Sequence, residues 1–366
     1  MLYITYINLE HKGFMGIKKK ILAQAHVFAI EFESVYLTSY TGLLFSLMTL
    51  DGRVVEKEVA YSKIDCNALL KKWIKKHKIK RTYIRYDYSD QWFIEFLQFQ
   101  KKNGITSILE IPTFPYDGEP KSPRIALEDT YYRDMLHQYF EVCMTYSDGN
   151  KVLGMPVIEL MNGVDLESVP LQQKKKKSEN GIIRLIAVAS MSMWHGYERL
   201  LYGLKKYYEE GGRIKIIVSF VGSGTEDGFY HRIVKENHLK DYVCFQGMKY
   251  GTDLDEEYNN ADIAVGSLGL YKADIYHCAP IKLREFCARG IPFIYAYDDT
   301  GFKTVPEYAR KFENDDSPIC INEIVDLYDE IEKKNISPND IRAYAEKHFS
   351  WEHTMQEAVN YYVSKQ

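Results

Sequence analysis

The chain has 366 residues, 46% of them hydrophobic and 27% charged, with a formal net charge of −4. That length exceeds one ordinary core and calls for two domains, while the globular composition excludes disordered and fibrous classes. The acidic balance excludes a chain-wide polyanion binder, and the lack of a basic motif with base-stacking aromatics disfavours nucleic acid.

Residues 2–7 read as a strand, followed by Gly13-Phe-Met-Gly16 and a helix over 17–28. The opening run, followed by Glu10, His11 and Lys12, lacks a signal-peptide pattern. Residues 35–40 and 43–50 read as two strands of a hairpin; Ser, Thr, Tyr and Gly interrupt this run, which is too polar and short to span a bilayer. A helix over 68–77, a strand over 82–86, a helix over 92–102 and a strand over 107–111 follow. Residues 131–139 then predict a helix and 142–146 a strand. The polar, lysine-rich stretch 170–181 reads as a linker and a candidate hinge.

In the second half, residues 182–189 form a nearly continuous apolar run, the signature of a buried parallel strand. A helical pattern runs through Leu200, Leu201, Leu204 and Tyr207. A strand over 214–221 ends in Gly222-Ser-Gly224. Helices over 230–238, 254–260 and 281–289 alternate with strands over 242–245, 262–265 and 291–297. Such alternation gives a parallel sheet covered on both faces. Residues 351–362 form an amphipathic helix.

The 30 tyrosines and 17 phenylalanines are in excess. They suit half-buried strands and carbohydrate-facing clefts alike, and ordinary packing accounts for most of them. Lysines cluster at Lys18 to Lys20, between Lys71 and Lys80, and at Lys174 to Lys177. Such runs are usually solvated faces; contact with anionic lipid is the less common use. The six cysteines form no CxxC pair and no disulfide framework.

Parallel sheets bind ligands outside the carboxyl ends of their strands, so loops after strands carry the candidate chemistry. Gly222-Ser-Gly224-Thr-Glu-Asp-Gly228 follows a strand and opens a helix, where glycines let backbone N–H groups approach a pyrophosphate. A tight turn explains the same pattern. Nicotinamide chemistry is disfavoured, because the next strand ends in Gln246-Gly247 without the acidic residue it needs. Gly13 to Gly16 offers a second anion site at a helix start. Lys282 and Glu285 stand three apart on one helix and share a face. Lys282 suits a phosphate, and the Glu285 carboxylate suits the two hydroxyls of a ribose. A surface ion pair explains the spacing equally well.

The segment Lys282-Leu-Arg-Glu285-Phe-Cys-Ala-Arg-Gly290-Ile-Pro292 resembles the donor-binding segment of glycosyltransferase family 4. Asn162-Gly-Val-Asp165 resembles the sequence that closes that family's first domain. Ala189 to Leu200, with Trp194-His195-Gly196, resembles its strand-to-helix loop in bacterial surface-polysaccharide members. Val221 to Gly224 and Phe245 to Gly247 fall at later strand ends, Gly13 to Gly16 resembles the flexible glycine loop, and Glu110 to Glu119 resembles a segment of the same subgroup. The resemblance runs in order over nearly the whole chain.

It implies a GT-B fold: two Rossmann-like domains facing across a cleft, 1–168 and 180–346, with a C-terminal helix (347–366) crossing back to the first. It implies a cytoplasmic, retaining transferase, at most peripheral to the membrane's inner face, using a nucleotide sugar and a glycan or lipid-linked acceptor, with no cofactor and no obligatory metal. The donor site then comprises Gly13, Gly16, Gly222, Gly224, Gly247, His277, Lys282 and Glu285, and the catalytic candidates are Glu110, Arg85 and His195. The sequence departs from the family where His277 stands in place of the first of two paired glutamates, and where Ser190 and His195 replace basic residues at the diphosphate loop. Lys282, Arg284 and His195 are left to meet the phosphate charge. Glu110 and Arg85, at strand ends of the first half, are candidates to orient the acceptor or steady a cation, or else to hold loops together as an ion pair. Asp253-Leu-Asp255 spells a metal–diphosphate motif but reads better as helix-start acids. An epimerase and a non-catalytic nucleotide-sugar-binding protein are the alternatives.

Overall fold

The computed structural model describes residues 1–117, 122–146, 149–173 and 181–365. Lys174 to Lys177 and Glu119 lie outside the described residues. The chain divides into two compact units, Met1–Met161 with Trp351–Gln366, and Asn162–Ser350. No helix among the described residues is long and apolar enough to cross a membrane.

Unit 1 contains β1 (Leu2–Ile4), α1 (Met15–Glu31), β2 (Tyr36–Tyr40), β3 (Leu44–Thr49), β4 (Val54–Val59), α2 (Lys63–Lys76), β5 (Arg81–Arg85), α3 (Gln91–Lys102), β6 (Thr106–Ile111), α4 (Pro123–Arg133), β7 (Cys143–Thr145), β8 (Lys151–Val152) and β9 (Met155–Glu159). They form one sheet in the order β4-β3-β2-β1-β5-β6-β7-β9-β8. Its middle strands are parallel, with antiparallel strands at both edges. The expected hairpin is β2–β3, and β4 extends it. The helix expected over 131–139 instead runs over Pro123–Arg133, because Ser122 caps it and Pro123 takes the first helical position, where a missing N–H costs nothing.

Side chains alternate across these strands. Tyr3, Tyr83 and Ile108 pack on one face with α1, while Leu2, Ile4, Ile84 and Leu109 pack on the other with Trp73 and Phe96. The helix α11 (Trp351–Val363) returns to unit 1 and lies beside α1. Tyr362 pins it there: its fully buried hydroxyl donates to the Thr82 carbonyl at 2.5 Å and accepts from Ile108 N at 3.2 Å. Tyr362→Phe leaves two strand groups without partners in the core and should cost about 1–3 kcal/mol in denaturant unfolding. A loss below a few tenths of a kcal/mol would show that these groups find other partners.

Unit 2 contains β10 (Ile182–Val188), α5 (Tyr197–Glu209), β11 (Lys215–Val221), α6 (Asp227–Glu236), β12 (Val243–Gly247), α7 (Gly251–Asn259), β13 (Ile263–Val265), β14 (His277–Cys278), α8 (Ile281–Arg289), β15 (Phe293–Tyr295), β16 (Asp298–Asp299), β17 (Ala309–Lys311), α9 (Ile321–Lys334) and α10 (Pro338–His348). Its main sheet is ordered β12-β11-β10-β13-β15-β17, all parallel, with β14 and β16 as a separate pair. Renumbered within the sheet this is 3-2-1-4-5-6, the Rossmann order.

The border between the units lies at Met161/Asn162 rather than at 168. Three attachments bind the intervening residues to unit 2. Val164 N donates to the Phe349 carbonyl at 2.7 Å. Arg342 donates to the carbonyls of Leu166 and Val169. Gln172, buried, donates to the carbonyls of Tyr258 and Ala261. Residues 170–173 are therefore part of unit 2 and not a free linker.

Candidate functional site

In a sheet of order 3-2-1-4-5-6, a crevice opens outside the carboxyl ends of the first and fourth strands. In unit 2 these are β10 and β13, and their following loops meet backbone to backbone. Gly196 sits at φ +62°, and a Cβ there would lie 2.5 Å from Gly269 N. Leu268 N donates to the His195 carbonyl at 2.8 Å. Only glycine fits such an approach in that backbone region.

The crossing holds His195 in place. Its Nδ1 lies 3.0 Å from Ser192 N and 3.2 Å from the Ser192 carbonyl, so the Ser192 backbone holds the ring through that nitrogen in either tautomer. Burial and the Lys282 ammonium push its pKa down to about 4, so the ring is neutral near pH 7. Tyr197 stacks on it, with centroids 5.5 Å apart. Lys282, in the first turn of α8, donates to the Tyr197 hydroxyl at 3.4 Å. Burial brings its pKa down to about 8, with Glu285 pulling the other way. The start of α8 has no side-chain cap and no acidic residue in its first turn. Asn162 Nδ2 anchors it, donating to the Ala279 carbonyl at 2.9 Å. An ammonium group, a helix N-terminus and a neutral imidazole therefore sit together, with Glu285 one turn along, a combination whose chemistry suits an anion.

The glycines of the next loop have a different explanation. At Gly222 (φ +119°) a Cβ would overlap the Ala189 carbonyl, and at Gly224 it would overlap the Ser190 carbonyl. Both glycines let the loop after β11 press against the loop after β10. The start of α6 also carries Glu226 and Asp227, and Ser223 Oγ donates to Asp227 at 2.5 Å, an acidic setting that does not favour a phosphate. Gly247 takes φ +66° and its carbonyl accepts from Gly222 N at 2.7 Å.

Arg284 is not available to a phosphate. It is fully buried, paired with Asp299 and stacked 4.6 Å from the Phe349 ring, because two positions beyond Lys282 it faces the opposite side of α8. His277 is exposed on β14, with Nδ1 3.4 Å from Asp298. Asp253 lies in the first turn of α7 and Asp255 pairs with Arg289 at 2.8 Å, in keeping with helix-start acids. Among the described residues no group of three or more His, Cys, Asp and Glu is placed to hold a metal ion.

In unit 1 a pocket of about 510 Å³ opens at the carboxyl ends of β1, β5 and β6. Thr5, Tyr6, Arg85, Tyr86, Asp87 and Tyr116 are among its walls. Arg85 pairs with Glu110, which is wholly buried and does not line the pocket. The same carboxylate accepts from Tyr83 at 2.6 Å and Gln24 at 2.9 Å, and lies 3.6 Å from Lys20 Nζ. Burial would raise its pKa, but Lys20 and Arg85 outweigh this and hold it below the usual carboxylate range. Glu110 thus lies behind the pocket wall, paired with Arg85, which lines it. Gly13 lies in the short 3-10 turn before α1 and Gly16 in the first turn of α1; neither has positive φ, and a Cβ at Gly16 would meet nothing within 4 Å.

No protein-family model and no curated protein matches this sequence. Solved structures do match its fold. A glycosyltransferase from Rickettsia africae ESF-5 superposes with a TM-score of 0.69 at 12% identity, over 100% of this chain and 97% of its own. Anabaena HepE, solved in complex with UDP, gives 0.63 at 11% identity over 99% of both chains. The lipopolysaccharide outer core galactosyltransferase WaaB gives 0.61 at 12% identity over 98% of both. The fold is that of the GT-B glycosyltransferases.

Within this GT-B fold, several site residues escaped the sequence. Gln24 and Tyr83 complete the setting of Glu110, yet Gln24 lies 86 positions from it, and Lys20, from a lysine run that reads as a solvated face, turns inward to the same carboxylate. Gly269, the partner of Gly196, follows β13 in Gly266-Ser-Leu-Gly269, a pair that does not name its partner loop. Tyr197 follows the Trp194-His195-Gly196 run, and its ring and hydroxyl join His195 to Lys282.

Proposed function

We propose that this chain is a retaining glycosyltransferase that binds a nucleotide-sugar donor at the β10/β13 crevice of unit 2. The observation that carries the proposal is the convergence of His195, Lys282, Glu285 and the uncapped start of α8 at that crevice. The likeness to HepE, which has been solved with UDP and with UDP-glucose, supports it.

In this reading Glu285 accepts hydrogen bonds from the ribose hydroxyls. Lys282 and the helix start neutralise the diphosphate as it departs, with the His195 ring beside them, the step in which preorganised donors contribute most. The acceptor hydroxyl attacks the anomeric carbon from the leaving-group face. The C–O bond to the phosphate breaks as the new one forms, and a phosphate oxygen takes the hydroxyl proton. Charge neutralisation is assigned to the chain's own residues, without an obligatory metal. The acceptor is a glycan or lipid-linked oligosaccharide, and the basic start of α1, with Phe14 and Met15 exposed, suits contact with a membrane surface.

The test is thermal stabilisation by a panel of UDP-, GDP-, ADP- and CMP-sugars, followed by a transfer assay. A ligand at 100 times its Kd stabilises the folded state by about 2.7 kcal/mol. One nucleotide class should stabilise the wild type and not Glu285→Ala or Lys282→Met. Affinity should also fall as pH rises through about 8, where Lys282 sheds its charge, and this slope should vanish in Lys282→Met. Binding without transfer or donor hydrolysis would favour a non-catalytic nucleotide-sugar-binding protein. No stabilisation by any donor would overturn the reading.

A further inference from the structure

The pocket of unit 1 is built over an excess of buried positive charge. The Lys20 and Arg85 side chains are 10% and 9% exposed and share one carboxylate, Glu110, which is 0% exposed. No second carboxylate among the described residues pairs with either cation. The other groups around them are neutral: Tyr146, whose hydroxyl accepts from Lys20 Nζ at 3.0 Å, together with Tyr3, Tyr83 and Gln24. Asp87 also lines the pocket, but it is half-exposed, lies 3.6 Å from Lys63 Nζ, and pairs with neither Lys20 nor Arg85.

Charges withdrawn from water are ordinarily paired, and here two cations meet one anion beside an open pocket. Arg85 has five N–H donors in a planar fork, and its bond to Glu110 occupies only part of it. The remaining walls suit a sugar. Tyr6, Tyr86 and Tyr116 are aromatic walls, and Thr5 and Thr113 are polar ones. At about 510 Å³ the space falls within the range of small-ligand sites.

We propose that this pocket is an acceptor subsite for a sugar bearing an oxyanion, a carboxylate or a phosphate, held by Arg85 with Lys20 supplying the unmatched charge. The proposal rests on the glycosyltransferase reading, which it refines. Arg85 is the specificity-determining residue, Lys20 raises the local potential, and Glu110 aims the guanidinium.

Binding to the full chain is measured by isothermal titration and saturation-transfer NMR with three probes: methyl glucuronoside, glucose 1-phosphate and methyl glucoside. At least one anionic sugar should bind about tenfold or more tightly than the neutral one, and the favoured probe tells a glycan carboxylate from a phosphate. The preference should collapse in Lys20→Met, which leaves Arg85 and Glu110 as a neutral pair. Arg85→Lys, which keeps the charge and loses the fork, should weaken binding of the anionic probe while the fold is retained. Equal binding of all three probes, no binding, or a preference that survives both substitutions would overturn the proposal. So would anion binding that UDP abolishes and Lys282→Met removes, because the anion would then belong to the donor site. Donor stabilisation is run on the same samples. If it persists through Lys282 without any anion preference, this proposal falls alone; if anions bind and no nucleotide sugar does, the transferase reading falls.

Discussion

Replacing Glu110 by Gln is expected to destabilise unit 1 by about 3–5 kcal/mol, the usual cost of removing one partner from a buried charge pair. The substitution keeps the side chain's shape but leaves Lys20 and Arg85 in the protein interior with no carboxylate. Adding Lys20→Met to Glu110→Gln removes one of the stranded cations and should recover part of the loss, so the two effects are not additive. Hydrogen exchange in β5 and β6, read beside denaturant unfolding, localises the effect. The same pair fixes a pH dependence. The folded-state pKa of Glu110 lies below its unfolded value. Its contribution is therefore fully present above about pH 4.3, the ordinary glutamate value, and is lost as pH falls through the folded pKa. Wild type should show this acid slope and Glu110→Gln should lack it. A loss under about 1 kcal/mol, with the slope unchanged, would mean that water already screens the cluster.

The second large effect is expected from Gly196→Ala. A non-glycine residue at φ +62° costs about 1–2 kcal/mol. The added Cβ would also sit 2.5 Å from the Gly269 backbone, which has no flexible end to turn aside, and overpacking of this kind costs about 1–3 kcal/mol. The combined loss of about 2–5 kcal/mol falls on the loop that carries His195, so nucleotide-sugar stabilisation should disappear with it. Gly16→Ala is the matched control. That position is helical with open space around it, so alanine should leave stability unchanged or raise it by up to about 1 kcal/mol. If Gly16→Ala nevertheless impairs donor binding, the glycine serves a ligand's approach. If Gly196→Ala binds donors like wild type, the β10/β13 crevice is not the donor site.

These two glycines also show how much the sequence discloses. The apolar run 182–189 announces a buried strand, and the alternating pattern around it is enough for a Rossmann-like sheet. β17 is Ala-Arg-Lys, with no strand pattern of its own, and exists because it pairs with β15. The spacing of Lys282 and Glu285 places them on one helix face, but a helical repeat cannot say that Arg284 turns inward to Asp299. Glycine motifs are ambiguous for the same reason. Gly222 and Gly224 spell a phosphate loop, whereas their carbonyl neighbours Ala189 and Ser190 belong to another strand's loop. Glu110 was readable as a polar residue at a strand end. Its burial depends on Gln24 and Lys20, which arrive on α1 from a distant part of the chain.

The return of α11 to unit 1 has a consequence for biosynthesis. Domains generally fold as they emerge from the ribosome, the N-terminal one first. Here unit 1 cannot close its α1 face until Met355 and Tyr362 are in place, and those residues are translated only after all of unit 2. The later-encoded unit is therefore the first that can be completed. Until it is, the face of β1, β5 and β6 that carries Tyr3, Tyr83 and Ile108 waits half-covered, a window in which a chaperone has something to hold.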